Sequence, residues 1–235
     1  MIAKSNFLDE VLNLDPCLIT IVERLNLPYK NSHRTIKEAS ESSGNNPDFV
    51  VEILKAYSYK NHFPRKELTA FSIPSILDYL RKTHRHYLDK LIPQMEQSIT
   101  QLIKKFGLSH PDLVLLTYIF IKYKNELKGH IQNEETKLFP YIENLLKVKQ
   151  HGVQYLDKAF KGYSIKQFIS EHDENELSVP EIREIIQDNS PLTFLPMPYR
   201  IFLIQLELFE QDLLIHAKVE DDVLIPKALL LEKII

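Results

Sequence analysis

The sequence predicts an all-α protein, a four-helix bundle preceded by a small helical module, on three observations. Glycine is scarce, 5 in 235 residues, where about 7% is usual. That disfavours turn-dense β architectures and glycine-rich phosphate loops. Apolar residues recur at alternating steps of three and four along four long segments, the inward stripe expected of bundle helices. Breaks near 107–111, 148–153 and 188–198 separate those segments and hold Gly107 and Pro111, then Gly152, then Pro191, Pro196 and Pro198.

Taken in order, residues 1–65 form the small module. Short helices are expected near Asp15–Leu25, Thr35–Glu41 and Pro47–Tyr57. The Ser-, Gly- and Asn-rich stretch before Pro47 is a loop ending at a helix start. Residues 58–72 show no sustained period, contain Pro64, and read as a linker. The bundle follows over residues 70–235. Its first helix carries Leu77, Leu80 and His84, with Leu91 and Met95 beyond. The second runs Leu113, Leu116, Phe120, Tyr123, Leu127 and then His130 and Glu134. The third has Ile165, Phe168 and His172, followed by Val179, Ile182 and Ile186. The fourth keeps Phe202, Leu206, Phe209 and Leu213 in step and ends on His216 and Glu220. Four histidines and two glutamates thus stand where leucines belong. An unpaired carboxylate in such a seam costs several kcal/mol, roughly, so something must compensate it.

The composition narrows the alternatives. With 29 basic and 32 acidic residues, there is no basic excess for a nucleic-acid surface. The single cysteine, Cys17, excludes an internal disulfide framework and a Cys₄ metal site. Asp9 and Glu10 stand where a secretion signal needs an apolar stretch. The longest mostly apolar run, Leu113–Ile121, is nine residues, far short of the roughly 20 a membrane span requires. A soluble, cytoplasmic protein with neither nucleic-acid nor membrane partners is expected.

The second and fourth helices repeat one motif. His130 to Pro140 reads HIQNEETKLFP, and His216 to Pro226 reads HAKVEDDVLIP, 86 residues on. His84 and His172 are separated by a similar 88 residues. The bundle therefore reads as two copies of one helical hairpin, each supplying a His and then a His-x₃-Glu. Residues four apart lie on one helix face, about 6 Å along the axis, so an imidazole and a carboxylate can converge on a metal. Four His and two Glu suffice for two metals sharing carboxylates. Two His plus carboxylate with open positions suits non-haem iron better than structural zinc. His84 has a rival in His86. Residues two apart point about 200° apart, and continuity with Leu77 and Leu80 selects His84. His86 is then expected at the surface or behind a ligand.

These residues, with the Leu-Phe-Pro and Leu-Ile-Pro endings and the THRHYL and SEHDE segments around His84 and His172, resemble the hemerythrin-like (HHE cation-binding) superfamily. Within it, the resemblance is greatest to iron–sulfur cluster repair di-iron proteins, which join a short N-terminal module to such a bundle. The resemblance implies an up-down four-helix bundle. It also implies two non-haem irons, oxo- and carboxylate-bridged, held by His84, His130, Glu134, His172, His216 and Glu220. O₂ or NO would be the small ligands and iron–sulfur proteins the recipients. A di-iron O₂ or NO sensor or scavenger is the alternative. That family usually carries a cysteine pair just after the aromatic matched by Tyr29, where this chain reads Lys30-Asn31.

Glu126, one turn before His130, and Glu171, beside His172, are candidates to orient an imidazole from behind. Glu135 and Asp221 adjoin the glutamate ligands but point about 100° away, so exposure is expected. His33, His62, His110 and His151 read as solvated, Cys17 as a small buried apolar residue, and Tyr123 and Tyr141 as core aromatics.

Overall fold

The structure is a computed structural model describing residues 2–59, 62–107, 112–172 and 196–235, without the side chains of 112–116 and 171–172. Among these residues every regular element is helical, and one isolated bridge, Phe7 with Thr35, is the sole extended pairing. The fold is all-α. The chain divides into two compact units, Met1–Thr83 with Ile215–Lys227, and His84–Leu214 with Ala228–Ile235.

In the first unit, three of the short helices fall near their expected places, at Ile19–Arg24, Ile36–Ser42 and Pro47–Ser58. Their starts are chemically specified. Thr35 accepts from the Glu38 N–H while the Glu38 carboxylate accepts from the Thr35 N–H, a reciprocal cap. Asn46 caps the next helix, with Pro47 at its first turn, where a missing N–H costs nothing. A further helix, Leu8–Leu14, buries Leu8, Val11 and Leu12. Residues 58–72 are not simply a linker, because Arg65–Thr69 forms a helix whose one buried residue is Leu68. One buried position in five residues leaves no period to detect.

The first long helix, Ile73–His86, begins in this unit. Its Tyr79 hydroxyl meets the Tyr57 hydroxyl at 2.9 Å, and Arg24 donates to the Thr83 hydroxyl at 3.3 Å. The Tyr79–Thr83 stripe is therefore a second buried face, covered by the N-terminal helices.

In the second unit, the seams pack as their spacing predicts. Met95, Ile99, Phe120, Tyr123, Phe202, Leu206 and Phe209 form one buried core, with Leu127 and Leu213 packed at its edge. The helices are Ile92–Phe106, Asp112–Asn133, Phe139–His151, Ile165–His172 and the start of Met197–Val219. Gly152 ends one of them at φ +101°, a left-handed value that favours glycine. Val179, Ile182 and Ile186, and the break at 188–195, lie outside the described residues.

Among the described residues, three long helices contain a π-helical turn, at Tyr87–Leu91, Glu134–Leu138 and Glu220–Leu224. Ile92, Phe139 and Ile225 donate their N–H groups five residues back, to the carbonyls of Tyr87, Glu134 and Glu220. The residue after each donor is a proline: Pro93, Pro140 and Pro226. Proline offers no N–H and crowds the carbonyl four residues earlier, and a widened turn relieves that crowding. Such turns frequently mark functional sites.

Candidate metal centre

Glu134 is the focus of the second unit's polar interior. Its residue is 0% exposed. His130, one turn earlier on the same face, places Nε2 2.7 Å from Oε1, and His84 places Nε2 2.9 Å from Oε2. The other ring nitrogen of His84, Nδ1, donates to Glu135 Oε1 at 2.8 Å. The ring lies parallel to Phe139, with centroids 5.5 Å apart. His84 is thus held on three sides. Burial disfavours its imidazolium, but the bonds to Glu134 and Glu135 outweigh burial and hold its pKa above the usual value.

The first unit carries the second copy of the motif. His216 Nε2 stands 3.9 Å from Glu220 Oε2, and both residues are buried. Within the second unit, His84, His130 and Glu134 bring two imidazole nitrogens onto one buried carboxylate, a set of side chains that could hold a metal ion. The donor chemistry fits a divalent cation. Imidazole nitrogens and carboxylate oxygens are its usual ligands, and an imidazole whose far nitrogen is fixed by a carboxylate is the arrangement metal-bound histidines adopt.

His172 ends the described part of its helix, and its side chain, with that of Glu171, lies outside the described residues, as does His110. Glu126 is partly exposed and sits 4.0 Å from Lys122 Nζ. Tyr123 and Tyr141 are buried, and Tyr141 donates to Glu232 at 2.7 Å. Burial, helped by that carboxylate, pushes the Tyr141 phenol strongly upward in pKa. His33, His62, His151 and Asp221 are exposed, as expected.

Three expectations are corrected. Glu135 is not simply exposed, because its side chain retains 30% exposure and binds His84. His86 is buried, at 7% exposure. It lies seven residues after Tyr79 and three after Thr83, so it continues the helix's second buried stripe rather than pointing to solvent. Cys17 is exposed, on the short turn before the Ile19–Arg24 helix, where Leu18 takes the inward position.

Sequence reasoning also passed over Tyr87 and Asp212. Tyr87 is fully buried and donates to Asp212 Oδ1 at 2.7 Å. The signal was the Leu-x-Pro ending that follows Tyr87 at the same distance as it follows the two glutamates. Tyr87 stands six residues before Pro93, as Glu134 and Glu220 stand before Pro140 and Pro226. Asp212 lies one turn before His216, in the place that Glu126 holds before His130.

An all-α chain that carries two His-x₃-Glu motifs, each with a buried glutamate, has the character of a cation-binding helical protein. The sequence pattern described as "Hemerythrin HHE cation binding domain" matches residues 75–228, and the chain belongs to that family. A named relative is the iron-sulfur cluster repair protein ScdA of Staphylococcus haemolyticus (strain JCSC1435). It is 20% identical over 154 residues, 66% of this chain and 66% of the relative's own length. Among the described residues, no helix is long and apolar enough to cross a membrane.

Proposed function

We propose that the protein is a non-haem di-iron protein that helps restore iron–sulfur clusters damaged by nitric oxide or oxidants, by supplying iron or handling NO in the cytoplasm. Residues 70–235 would be the di-iron bundle and residues 1–65 an accessory helical module. His84, His130, Glu134, His172, His216 and Glu220 are the proposed ligands, and Glu134 and Glu220 are proposed to be shared between two irons.

One observation carries this reading: a fully buried Glu134 carboxylate with imidazole nitrogens 2.7 and 2.9 Å from its two oxygens. A His/carboxylate set with room for added ligands suits non-haem iron. Iron in that set would supply redox chemistry and an exchangeable coordination position for a small gas molecule. The repair role takes support from the name of the 20%-identical relative.

The alternative, an O₂- or NO-binding sensor or scavenger that passes on no iron, is favoured by one feature. Lys30 and Asn31 stand where the resembling repair proteins keep a cysteine pair. The two readings separate when the ferrous protein is mixed with a cluster-free ferredoxin and sulfide. Repair predicts growth of cluster absorbance in the ferredoxin. No growth, together with tight NO binding, would reject repair and leave the sensor.

A further inference from the structure

The Arg65–Thr69 helix meets the Glu220 turn at two points on either side of Pro226. Pro226 has no N–H to give the Asp222 carbonyl, four residues earlier. Arg65 takes that role, with Nε donating to the Asp222 carbonyl at 3.1 Å and Nη1 3.6 Å from the Asp222 carboxylate. Lys227, just past the proline, donates through Nζ to the Thr69 carbonyl at 2.7 Å. The short helix is therefore bonded at its first residue to the turn and at its last residue by the helix that follows. Leu68, between them, is fully buried.

The Glu134 turn is braced differently. The residue matching Asp222 in the repeat is Thr136, and its hydroxyl donates to Gln132 of the same helix at 2.6 Å. One turn is tied within its own helix, whereas the other is tied to a segment more than 150 residues away in sequence.

We infer that Arg65 and Lys227 form a clamp through which the N-terminal segment fixes the π turn that begins at Glu220. Arg65 is then a positioning residue for Glu220, and through it for metal retention. The clamp's role for metal rests on the di-iron reading, but its effect on the turn does not. Arg65 and Asp222 are substantially exposed, so their ion pair contributes little. The consequence lies in the added donor to a carbonyl that Pro226, four residues on, cannot serve.

The test compares full-length Arg65→Ala, Arg65→Lys and Lys227→Ala with Lys4→Ala, a surface control whose ion pair is with Asp48. Hydrogen exchange is followed in the metal-free protein, and release of ferrous iron to a chelator is followed in the loaded protein. Arg65→Ala should speed exchange at residues 223–225 and iron release by about tenfold, the scale of one hydrogen bond to a charged group. Exchange at residues 134–139 should stay unchanged, and Arg65→Lys should recover part of both effects. Unchanged exchange at 223–225, or an equal rise at both turns, overturns the clamp. Faster exchange with unaltered iron release overturns its positioning role. If the wild-type protein takes up no iron, the metal reading fails while the exchange data still decide the clamp.

Discussion

His84 is gripped by consecutive carboxylates: Nε2 lies 2.9 Å from Glu134, and Nδ1 donates to Glu135 at 2.8 Å. The two glutamates point differently because they are adjacent on a helix, and the divergence lets them meet opposite edges of one ring. A carboxylate at Nδ1 would hold the hydrogen there when a metal took Nε2 in place of the proton shared with Glu134. Glu135→Ala should lower iron affinity about tenfold to a hundredfold, the usual cost of losing a carboxylate behind a metal-bound histidine. Glu135→Gln, whose amide oxygen can still accept, should lose less. Competition with a ferrous chelator measures both, and equal affinities for Glu135→Ala and wild type would remove Glu135 from the centre.

His86 separates structural burial from ligation. Its burial predicts that His86→Ala destabilises the protein by about 1–3 kcal/mol, the cost of losing a buried polar side chain's bonds. The thermal midpoint should fall by about 2–4 °C per kcal/mol for a chain of this size. Iron stoichiometry should stay near that of wild type. His84→Ala should instead lose part of the iron, since water can occupy the freed position. Iron loss in His86→Ala with retention in His84→Ala would exchange the roles of the two histidines.

The Tyr87–Asp212 bond gives a third prediction. Tyr87→Phe leaves the buried Asp212 carboxylate without its phenol donor and should cost about 1–3 kcal/mol of unfolding free energy. Asp212→Asn should cost less than Tyr87→Phe, because an amide is cheaper to bury than a carboxylate. The double variant should be less destabilised than the two single effects added together, since the one bond between them can be lost only once. Strict additivity in urea unfolding would show that the two groups do not depend on each other.

On the surface, His33 and Asp9 form an ion pair at 2.9 Å. The bond from Asp9 raises the His33 pKa, and the same bond lowers that of Asp9. A raised histidine stabilises fully below its unfolded value of about 6.5 and loses that contribution as pH rises through its folded value. A lowered aspartate stabilises above its unfolded value of about 3.9 and loses the contribution as pH falls through its folded value. The pair therefore contributes most between those limits. NMR titration should place His33 above 6.5, and Asp9→Asn should bring it back down. An unchanged His33 midpoint in that variant would refute the coupling.

The parts of the centre legible in sequence were those that repeat. His130-x₃-Glu134 and His216-x₃-Glu220 share spacing, seam register and a proline ending, and an α-helical period projects each pair onto one face. Phe120, Tyr123, Phe202, Leu206 and Phe209 were readable for the same reason. The π turns were hidden because a 3.6-residue period carries no term for a widened turn, although three Leu-x-Pro endings marked them. Glu135 was missed because projection angles describe where a side chain starts, and a glutamate is long enough to reach a ring that its Cα does not face. His86 is not at the surface because the first long helix has two buried stripes, and it lies on the one that does not end on His84. The Leu8–Leu14 and Arg65–Thr69 helices are too short for periodicity to separate from loop.

Metal content of the protein purified without added metal tests the central claim most directly, read beside that of Glu134→Ala. The wild-type chain should carry about two irons, the capacity expected of a His/carboxylate set with two shared glutamates. Glu134→Ala should lose both together, because its carboxylate meets His84 and His130 alike. A single zinc per chain in the wild type, or a Glu134→Ala protein that keeps one full iron, would contradict the account.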